Sequence, residues 1–373
     1  MASNKGKEFN RRQFVKSALV ATGFSLAYPA CFAGLEPDEH LRLNKRLKSE
    51  GTNIGPDPLP PTRIYPSMPK AIVAAAGVTS SIEAAVREAV MAAGGLDEIE
   101  PGQTIMIKPN MCGPAIGDKF PGRITTNPEV LRAVIKILKE RKPSKIYVGD
   151  RSMFETNLAF VSSGFARVCQ EEKVIGLPWT RCEYIRFYPK KRHWSKGFRI
   201  PKILKEVDHF VNVPLLKNHS LADFTCCQKA YVGVCLPLDR HQEGPDAFHT
   251  KNIGEKIAEL NLAVKPTINI VDAVTIMVKG GPGGATRKDC IWCNANLILA
   301  SKDRVACDSV ALAALKRYGA ENKVDLHYVK TSVWDQPSIY YAGELGIGQA
   351  DPRNITIEDL KAPRWDEIKS NWV

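Results

Sequence analysis

The stretch that decides the fold begins with Thr104-Ile105-Met106-Ile107-Lys108, a short β-branched and apolar run that predicts a strand. Thr126-Asn127-Pro128-Glu129 follows, with proline in the first turn and glutamate three positions after threonine, a pattern typical of a helix start. Val130 to Glu140 then has one apolar face, and Lys145 to Gly149 predicts a second buried strand. The stretch therefore predicts a strand, a helix and a strand in succession.

The same alternation continues on both sides of this unit. Further strands are predicted at residues 71–76, 210–216, 267–271 and 297–300, and further helices at residues 81–93, 253–264 and 304–318. Strands that alternate with helices of about 10 to 15 residues indicate parallel strand pairing with helical crossovers. The prediction is an α/β protein with a mainly parallel sheet, helices on both faces and Rossmann-like layers.

Length and composition limit the organisation of the chain. Its 373 residues, 44% hydrophobic and 25% charged, exclude wholesale disorder, collagen-like repeats and a multi-span membrane protein. Residues 34–70 are polar and proline-rich and are expected to be an arm or linker. The α/β domain is expected at residues 71–360, as one unit or as two lobes near 71–200 and 201–360, with residues 361–373 as a tail.

The amino terminus reads as a targeting segment. Asn10-Arg11-Arg12-Gln13-Phe14-Val15-Lys16 resembles the twin-arginine export signal, and the apolar run from Ser17 to Ala27 is too short for a membrane anchor. Residues 1–33 are therefore predicted to be a signal peptide cleaved after Ala33, with lipidation of Cys31 as the alternative. The resemblance implies the twin-arginine translocation machinery as a partner, a periplasmic or extracytoplasmic location and no stable transmembrane anchor.

The net positive charge of the chain raises the question of a partner. Removal of residues 1–33 takes away five basic residues and one acidic residue, so the net charge falls from +12 to +8. The remaining charge is spread along the chain, and its one dense run, Lys190 to Lys196, reads as a solvated stretch. No nucleic-acid-binding module is recognisable, so nucleic acid is not an expected partner.

Polar residues gather at the ends of the predicted strands. Lys108, Asp150 and Asp272 end three strands, and Lys217 and His219 follow a fourth. A single lysine at such a place is commonly solvated, but the ends of parallel strands meet at one edge of the sheet. We predict Lys108, Lys217, His219 and Asp272 as catalytic residues, since lysine supplies a cation, histidine a proton carrier and aspartate an orienting anion.

The expected ligand-binding residues surround this set. They are Asn110, Asp150, Asn212, Lys229, Gly281 and Gly283. Lys108, Lys217 and Lys229 would neutralise a carboxylate or a phosphate. The two glycines belong to the loop from Lys279 to Gly284, which lacks a P-loop signature and is also compatible with a plain loop.

These residues, in this order, resemble a family named only as domain of unknown function 362. The matching stretches are Lys108-Pro109-Asn110, Thr125-Thr126-Asn127-Pro128-Glu129, Asn212-Val213-Pro214-Leu215-Leu216-Lys217-Asn218-His219, Thr225 through Lys229 to Gly233, Val271-Asp272-Ala273, Gly281-Pro282-Gly283-Gly284, Ser301 to Asp308, and Glu344-Leu345-Gly346-Ile347-Gly348. The similarity covers roughly residues 70–360 and implies an α/β fold. Many members resemble iron–sulfur proteins through a fused ferredoxin-like module, whose C-x₂-C-x₂-C-x₃-C run is absent from this chain. Ala230 also stands where the family usually has asparagine.

The cysteines leave a second function open. Cys112, Cys226, Cys227 and Cys235, with His249, are candidate ligands for a metal ion or a 4Fe-4S cluster, which would make the protein a redox carrier. Cys169 and Cys307 lie on apolar helix faces and are expected in the core. Cys290-Ile291-Trp292-Cys293 is a C-x-x-C motif that would form a disulfide, a redox dithiol or two unpaired thiols.

Three functions follow from the sequence. The first is an exported enzyme or binding protein for a small anionic ligand, the second is the redox protein, and the third is a non-catalytic periplasmic scaffold.

Overall fold

The computed structural model describes residues 65–113, 123–153, 155–180, 182–189, 193–242, 244, 247–281 and 290–372. The predicted signal peptide, most of the predicted arm and Gly283 lie outside these residues. The strands are β1 (Ala71–Gly77), β2 (Thr104–Pro109), β3 (Lys145–Val148), β4 (Ile175–Gly176), β5 (Tyr184–Phe187), β6 (Phe198–Pro201), β7 (His209–Val213), β8 (Leu215–His219), β9 (Asp223–Thr225), β10 (Ile268–Lys279), β11 (Ile291–Ser301) and β12 (Ile355–Leu360).

Helices connect most of these strands. The α-helices are α1 (Ile82–Ala92), α2 (Pro128–Glu140), α3 (Thr156–Ser162), α4 (Phe165–Glu171), α5 (Ala247–Thr250), α6 (Ile253–Leu260), α7 (Arg304–Glu321), α8 (His327–Lys330), α9 (Pro337–Glu344) and α10 (Trp365–Ser370). Short 3₁₀ turns cover Lys202–Lys205, Lys229–Gly233, Pro237–His241, Val333–Asp335 and Pro352–Asn354. None of the helices in the described ranges combines the length and apolar character needed to cross a bilayer.

Ten of the described strands form one mixed sheet. Its order is β12-β1-β11-β10-β7-β2-β3-β4, with β8 paired to β10 and β9 paired to β8. Most neighbours are parallel, but β11 runs antiparallel to both β1 and β10. The predicted α/β architecture with a mainly parallel sheet is confirmed, with β11 as a reversed strand inside it.

The core lies on both faces of this sheet because side chains alternate along each strand. In β2, Ile105 and Ile107 pack with the helices α1, α2 and α4, whereas Met106 faces the opposite side and packs with Trp179 and Phe210. Farther along the sheet, α7 packs on this second face. The strand ends are thereby enclosed between two layers.

The start of α2 differs from its prediction in one respect. Asn127, and not Thr126, caps the helix, because the Asn127 side chain accepts a hydrogen bond from the backbone N–H of Glu129. The Thr126 hydroxyl is engaged elsewhere, since it accepts from the N–H of Asn110 and donates to the carbonyl of Val213. Thr126 therefore ties β2 to β7, near the end of each strand.

The predicted strand at residues 210–216 is in fact two strands. Pro214 has no N–H group for a strand ladder, and it separates β7 from β8. Lys217 and His219 consequently lie within β8 and do not follow a strand. β10 and β11 extend well beyond the predicted segments because they pair with each other over most of their length.

The predicted helix at residues 253–264 ends early, at Leu260. Asn261 caps it, and its side chain donates to the carbonyls of Gln228 and Ile257. The guanidinium of buried Arg304 in turn donates to the Asn261 carbonyl. This cap fastens α6 to the Lys229–Gly233 turn and so helps to place Lys229.

Candidate functional site

A pocket of about 450 Å³, including its open mouth, lies at the carboxyl ends of β2 and β3 and beside β8. Its lining residues are Lys108, Asn110, Met111, Cys112, Asp150, Arg151, Met153, Lys217, His219, Thr225, Lys229, Ala230, Val232, Gly233 and Arg240. Five of these are lysine or arginine and one is acidic. The arrangement favours an anion.

Lys108 and Asp150 form a buried ion pair at the base of this pocket. The Lys108 Nζ lies 2.8 Å from Asp150 Oδ1, and both side chains are almost completely excluded from solvent. The backbone N–H groups of Met111 and Arg151 also donate to the Asp150 carboxylate. Burial raises the pKa of Asp150 and lowers the pKa of Lys108, while their mutual attraction opposes both shifts.

Gly233 lets the backbone approach this pair closely. A Cβ atom at position 233 would lie 3.2 Å from Lys108 Nζ and 2.1 Å from Asp150 Oδ1, and the second distance is shorter than real Cβ contacts. The turn that ends at Gly233 therefore covers the ion pair directly, as only glycine permits.

β8 contributes Lys217 and His219. The Lys217 Nζ is buried and donates to the carbonyl of Ile124 at 2.9 Å. The His219 Nδ1 accepts hydrogen bonds from the backbone N–H groups of Leu221 and Ala222, at 3.1 and 3.2 Å. A nitrogen that accepts carries no proton, so this network assigns the proton of the neutral ring to Nε2.

His219 is neutral at physiological pH. Burial lowers its pKa well below the ordinary value, and the nearby charges of Lys229 and Lys217 and the ring of His249 lower it further. The His249 ring stacks on the His219 ring, with 5.8 Å between the centroids and an angle of 15°. His219 can therefore donate a hydrogen bond through Nε2–H, whereas its Nδ1 is occupied by the turn.

Lys229 lies at the start of the Lys229–Gly233 turn, which follows β9. It is 9% exposed, and its Nζ lies 5.5 Å from the centre of the Phe248 ring. The ammonium group also lies near enough to His219 to lower the pKa of that ring.

Two arginines complete the set, and neither was among the residues predicted from the sequence. Arg151 follows Asp150 directly and donates to the carbonyls of Trp179 and Thr180. Arg240 lies in the Pro237–His241 turn and donates to the carbonyl of Cys235. Arg151 could have been predicted as a site residue because it directly follows a strand end. Arg240 comes from a turn, where no strand-end pattern marks it.

The structure brings together only part of the predicted site. Lys108, Asn110, Cys112, Asp150, Lys217, His219 and Lys229 line the pocket. Asp272, Asn212, Gly281, Cys226, Cys227, Cys235, His249, Cys290 and Cys293 do not. His249 nevertheless contacts the site through the His219 ring.

Asp272 belongs to β10, and its carboxylate lies at the amino terminus of α2. Its carboxylate is fully buried and accepts hydrogen bonds from the backbone N–H groups of Asn127, at 2.6 Å, and Val274, at 3.1 Å. Asn127 is the cap residue of α2, where a negative charge is stabilised by the helix dipole. Asp272 thus holds α2 against β10 and does not line the pocket with Lys108 and Lys217.

Asp272 gives the protein a predicted pH dependence. Burial raises its pKa from 3.8 to about 7, partly offset by the two backbone hydrogen bonds. Between these values the folded state holds a proton that the unfolded state has lost, so stability falls as the pH rises from about 4 to 7. Between pH 5 and pH 8, we expect the free energy of unfolding of the wild type to fall by about 1–3 kcal/mol more than that of the Asp272→Asn variant.

Urea denaturation of both proteins at the two pH values measures this difference. Asp308→Asn is the comparison variant. Burial raises the pKa of Asp308 to about 6, so this variant should also reduce the fall in stability as the pH rises. Equal pH slopes for the wild type and Asp272→Asn would contradict the assignment.

Asn212 and Gly281 have packing roles in the structure. The Asn212 side chain is fully buried and donates to the Cys227 carbonyl and to Asn269 Oδ1, each at 3.0 Å. Gly281 donates its N–H to Asn218 Oδ1 at 2.8 Å and lies against the Asn218 backbone. Both residues support β8 and its neighbours without lining the pocket.

The predicted metal ligands are distributed over different places. Cys112 lines the pocket, where its thiol donates to the Met153 sulfur, and Cys235 lies against Arg240. Among the described residues, the only group of three or more ligand atoms close enough for a metal ion is Cys226, Cys227 and Asp308. Four cysteines therefore do not converge on one centre within the described ranges, as a 4Fe-4S cluster on cysteines requires.

The Cys226–Cys227–Asp308 group is a buried hydrogen-bonded cluster. The two sulfur atoms lie 3.9 Å apart, and the Asp308 carboxylate accepts from the backbone N–H groups of Cys227 and Gln228. Burial raises the pKa of Cys226 to about 12. Cys307 lies in the same core, and Cys169 lies in the core on the opposite face, as predicted for both.

The C-x-x-C motif lies at the start of β11. Cys290 precedes this strand and Cys293 belongs to it, and no disulfide joins the two. Asn322 donates a side-chain hydrogen bond to the Cys293 sulfur at 3.2 Å. The function of this motif, as a disulfide, a redox dithiol or two separate thiols, stays a prediction.

Comparisons with known proteins add the following. The model of a family described as a domain of unknown function (DUF362) matches residues 105–313. No curated protein matches the chain.

Two solved structures are similar at low identity. One is a Thermotoga maritima protein with 11% identity and a TM-score of 0.32, covering 52% of this chain. This chain spans about half of that protein, 50% of its length. The other is the lactate racemase apoprotein from Thermoanaerobacterium thermosaccharolyticum, with 10% identity and a TM-score of 0.39, covering 82% of this chain and 87% of that one. At these TM-scores neither similarity carries an argument about function.

Proposed function

The chain belongs to the domain of unknown function (DUF362) family, and we propose that it binds a small anionic ligand in its cationic pocket, as an enzyme or as a binding protein. One observation carries this proposal. Among the described residues that line the pocket, five are lysine or arginine, and the single acidic one, Asp150, is paired with Lys108. This excess of cationic side chains in the described lining favours a negatively charged ligand.

His219 adds a neutral hydrogen-bond donor to the cationic side chains of the pocket. Its Nε2–H is a hydrogen-bond donor for a carboxylate or phosphate oxygen, and its Nδ1 is held by the Leu221 and Ala222 N–H groups. The proposal therefore assigns it the role of a neutral donor, and not that of a base. In an enzyme, such a donor would stabilise negative charge that develops on an oxygen of the substrate.

The location of this activity is part of the proposal. The resemblance of residues 10–16 to a twin-arginine signal supports action outside the cytoplasm after export, with the twin-arginine machinery as the partner. Fractionation of cells that express the full chain, compared with a chain carrying Arg11→Lys and Arg12→Lys, tests the location.

A metal or redox centre is the weaker candidate. Cys226, Cys227 and Asp308 are near enough to share an ion. However, Asp308 already accepts two backbone hydrogen bonds, and the raised pKa of Cys226 opposes loss of its proton. These groups satisfy one another as a core cluster, so the anion pocket is the better-supported function.

The Lys217→Met variant tests the anion pocket. We expect wild-type protein to bind one or more of phosphate, sulfate and short carboxylates in isothermal titration calorimetry. Removal of the Lys217 charge is expected to weaken that binding about 10- to 100-fold, because hydrogen bonds to a charged group are worth about 1.5–3 kcal/mol.

Lys316→Met is the matched control. Lys316 is also buried, but its Nζ donates to the carbonyls of Val329 and Thr331 and does not line the pocket. This variant should bind anions as the wild type does. Absence of anion binding by the wild type, or equal loss in both variants, would refute the proposal.

A further inference from the structure

The two arginines of the pocket are held by neutral partners. The Arg151 Nη1 donates to the carbonyls of Trp179 and Thr180, at 3.1 and 3.2 Å. The Arg240 Nη2 donates to the carbonyl of Cys235 at 3.0 Å. Neither guanidinium forms an ion pair with a carboxylate in the described part of the chain. These bonds therefore fix the position of both groups and leave their charge unbalanced.

Asp150, the acidic residue of the pocket lining, is already engaged. Its Oδ1 lies 2.8 Å from Lys108 Nζ and accepts from the backbone N–H of Arg151, and its Oδ2 accepts from the N–H of Met111. Lys108 and Asp150 together are neutral, wherever the proton between them resides. The positive charge at this end of the pocket is therefore that of Arg151 and Arg240.

The two guanidinium groups are electrostatic neighbours. Burial lowers the pKa of Arg240, and the charge of Arg151 contributes to lowering it. Burial raises the pKa of Tyr184, and the charges of both arginines oppose that rise. Arginine nevertheless keeps its proton in proteins, so two like charges lie near each other. Such charges repel, and an anion that contacts both would relieve the repulsion.

Both arginines also keep unused hydrogen-bond donors. The Arg151 Nη2 and the Arg240 Nη1 make no hydrogen bond to any part of the chain that the structure describes. The buried Nε–H groups of both residues likewise have no acceptor there. Each guanidinium thus uses a single nitrogen, although its planar fork suits the oxygen atoms of an oxyanion.

From this arrangement we infer that the ligand carries a phosphate group, and that this group binds Arg151 and Arg240. A phosphate monoester has about two negative charges at neutral pH and three terminal oxygen atoms, so it matches two guanidinium groups in charge and in acceptors. A carboxylate has one charge and would leave one of the arginines unbalanced. This inference rests on the proposed function and specifies its ligand class.

Methyl phosphate and methyl sulfate test the inference in calorimetry at constant ionic strength. The two ions have the same shape and differ by one charge when the phosphate is a dianion. At about pH 7.5 we expect wild-type protein to bind methyl phosphate about 10-fold or more tightly than methyl sulfate. At about pH 5 the phosphate is a monoanion, because its second pKa is about 6, and the preference should disappear.

Variants of the two arginines test the place of binding. Arg151→Gln and Arg240→Gln should each weaken the binding of methyl phosphate about 10- to 100-fold and reduce its preference over methyl sulfate. Arg151→Lys or Arg240→Lys replaces a glutamine variant that does not fold. Lysine keeps the charge but lacks the planar fork, so these variants should weaken methyl phosphate as well.

Arg186→Gln is the matched control. Arg186 is half-buried and its Nη1 donates to the carbonyl of Lys196 at 2.8 Å, as the pocket arginines do to their carbonyls, but it does not line the pocket. This variant should bind methyl phosphate as the wild type does.

The outcomes separate the inference from the proposed function. The inference is wrong if wild-type protein binds methyl sulfate as tightly as methyl phosphate at both pH values. It is also wrong if an Arg151 or Arg240 variant binds methyl phosphate as tightly as the wild type. In both cases the proposed function stands if some anion binds and Lys217→Met weakens that binding. If no anion binds the wild type, the proposed function itself is wrong.

Discussion

The Asp150→Ala variant is expected to lose about 3–5 kcal/mol of unfolding free energy, the range found when one partner of a buried ion pair is removed. Lys108 would be left 1% exposed without its carboxylate, and the backbone N–H groups of Met111 and Arg151 would lose their acceptor. Urea denaturation of the wild type and the variant measures the difference.

A double variant distinguishes the lost pair from general damage. Lys108→Met combined with Asp150→Asn removes both charges and keeps one oxygen for the backbone donors, so it should be more stable than Asp150→Ala alone. Glu83→Ala, which breaks a half-exposed ion pair with Lys136, should change stability little. A loss of less than about 1 kcal/mol in Asp150→Ala would show that Lys108 does not depend on this partner.

The Gly281→Ala variant is expected to lose about 1–3 kcal/mol or more and to weaken anion binding. Its Cβ would lie 1.8 Å from the carbonyl oxygen of Asn218, which belongs to the backbone and cannot rotate away. Asn218 lies between Lys217 and His219 in β8, so any displacement of the strand moves both pocket residues. Denaturation and calorimetry on the same preparations measure the two effects.

Gly94→Ala provides the contrast for this variant. Gly94 has a φ of +98°, but a Cβ there would meet only the flexible end of the Lys302 side chain. It should lose stability through backbone strain, by about 1 kcal/mol, and leave anion binding unchanged. Unchanged stability and binding in Gly281→Ala would mean that β8 and the Gly281 segment are less closely packed than their distances indicate.

Much of the fold could be predicted because its signals are local. The period of apolar residues locates β2, α2 and β3 within one or two residues, and Pro128 marks the first turn of α2. The direction of a strand depends on its partners, however, and nothing local shows that β11 runs antiparallel to β1 and β10. The break at Pro214 was visible in the sequence, but the longer apolar run obscured it.

The pocket residues likewise divide into those that local sequence patterns predict and those that depend on tertiary contacts. Lys108, Asp150, Lys217 and His219 were found because they lie at or near strand ends, where parallel strands bring side chains together. Asp272 has the same pattern, yet its carboxylate binds the amino terminus of α2. Arg240 reaches the pocket through the packing of a 3₁₀ turn, which depends on tertiary contacts that no short pattern encodes.

The neighbours of β1 have a consequence for biosynthesis. This strand lies between β11 and β12, both of which come from the last part of the chain. During synthesis, β1 has no partner until β11 has emerged from the ribosome, and the loop that must close to provide one spans most of the sequence. We therefore expect the sheet to be completed only once β12 has emerged, so that nascent chains without β12 leave one edge of β1 open for chaperones or aggregation.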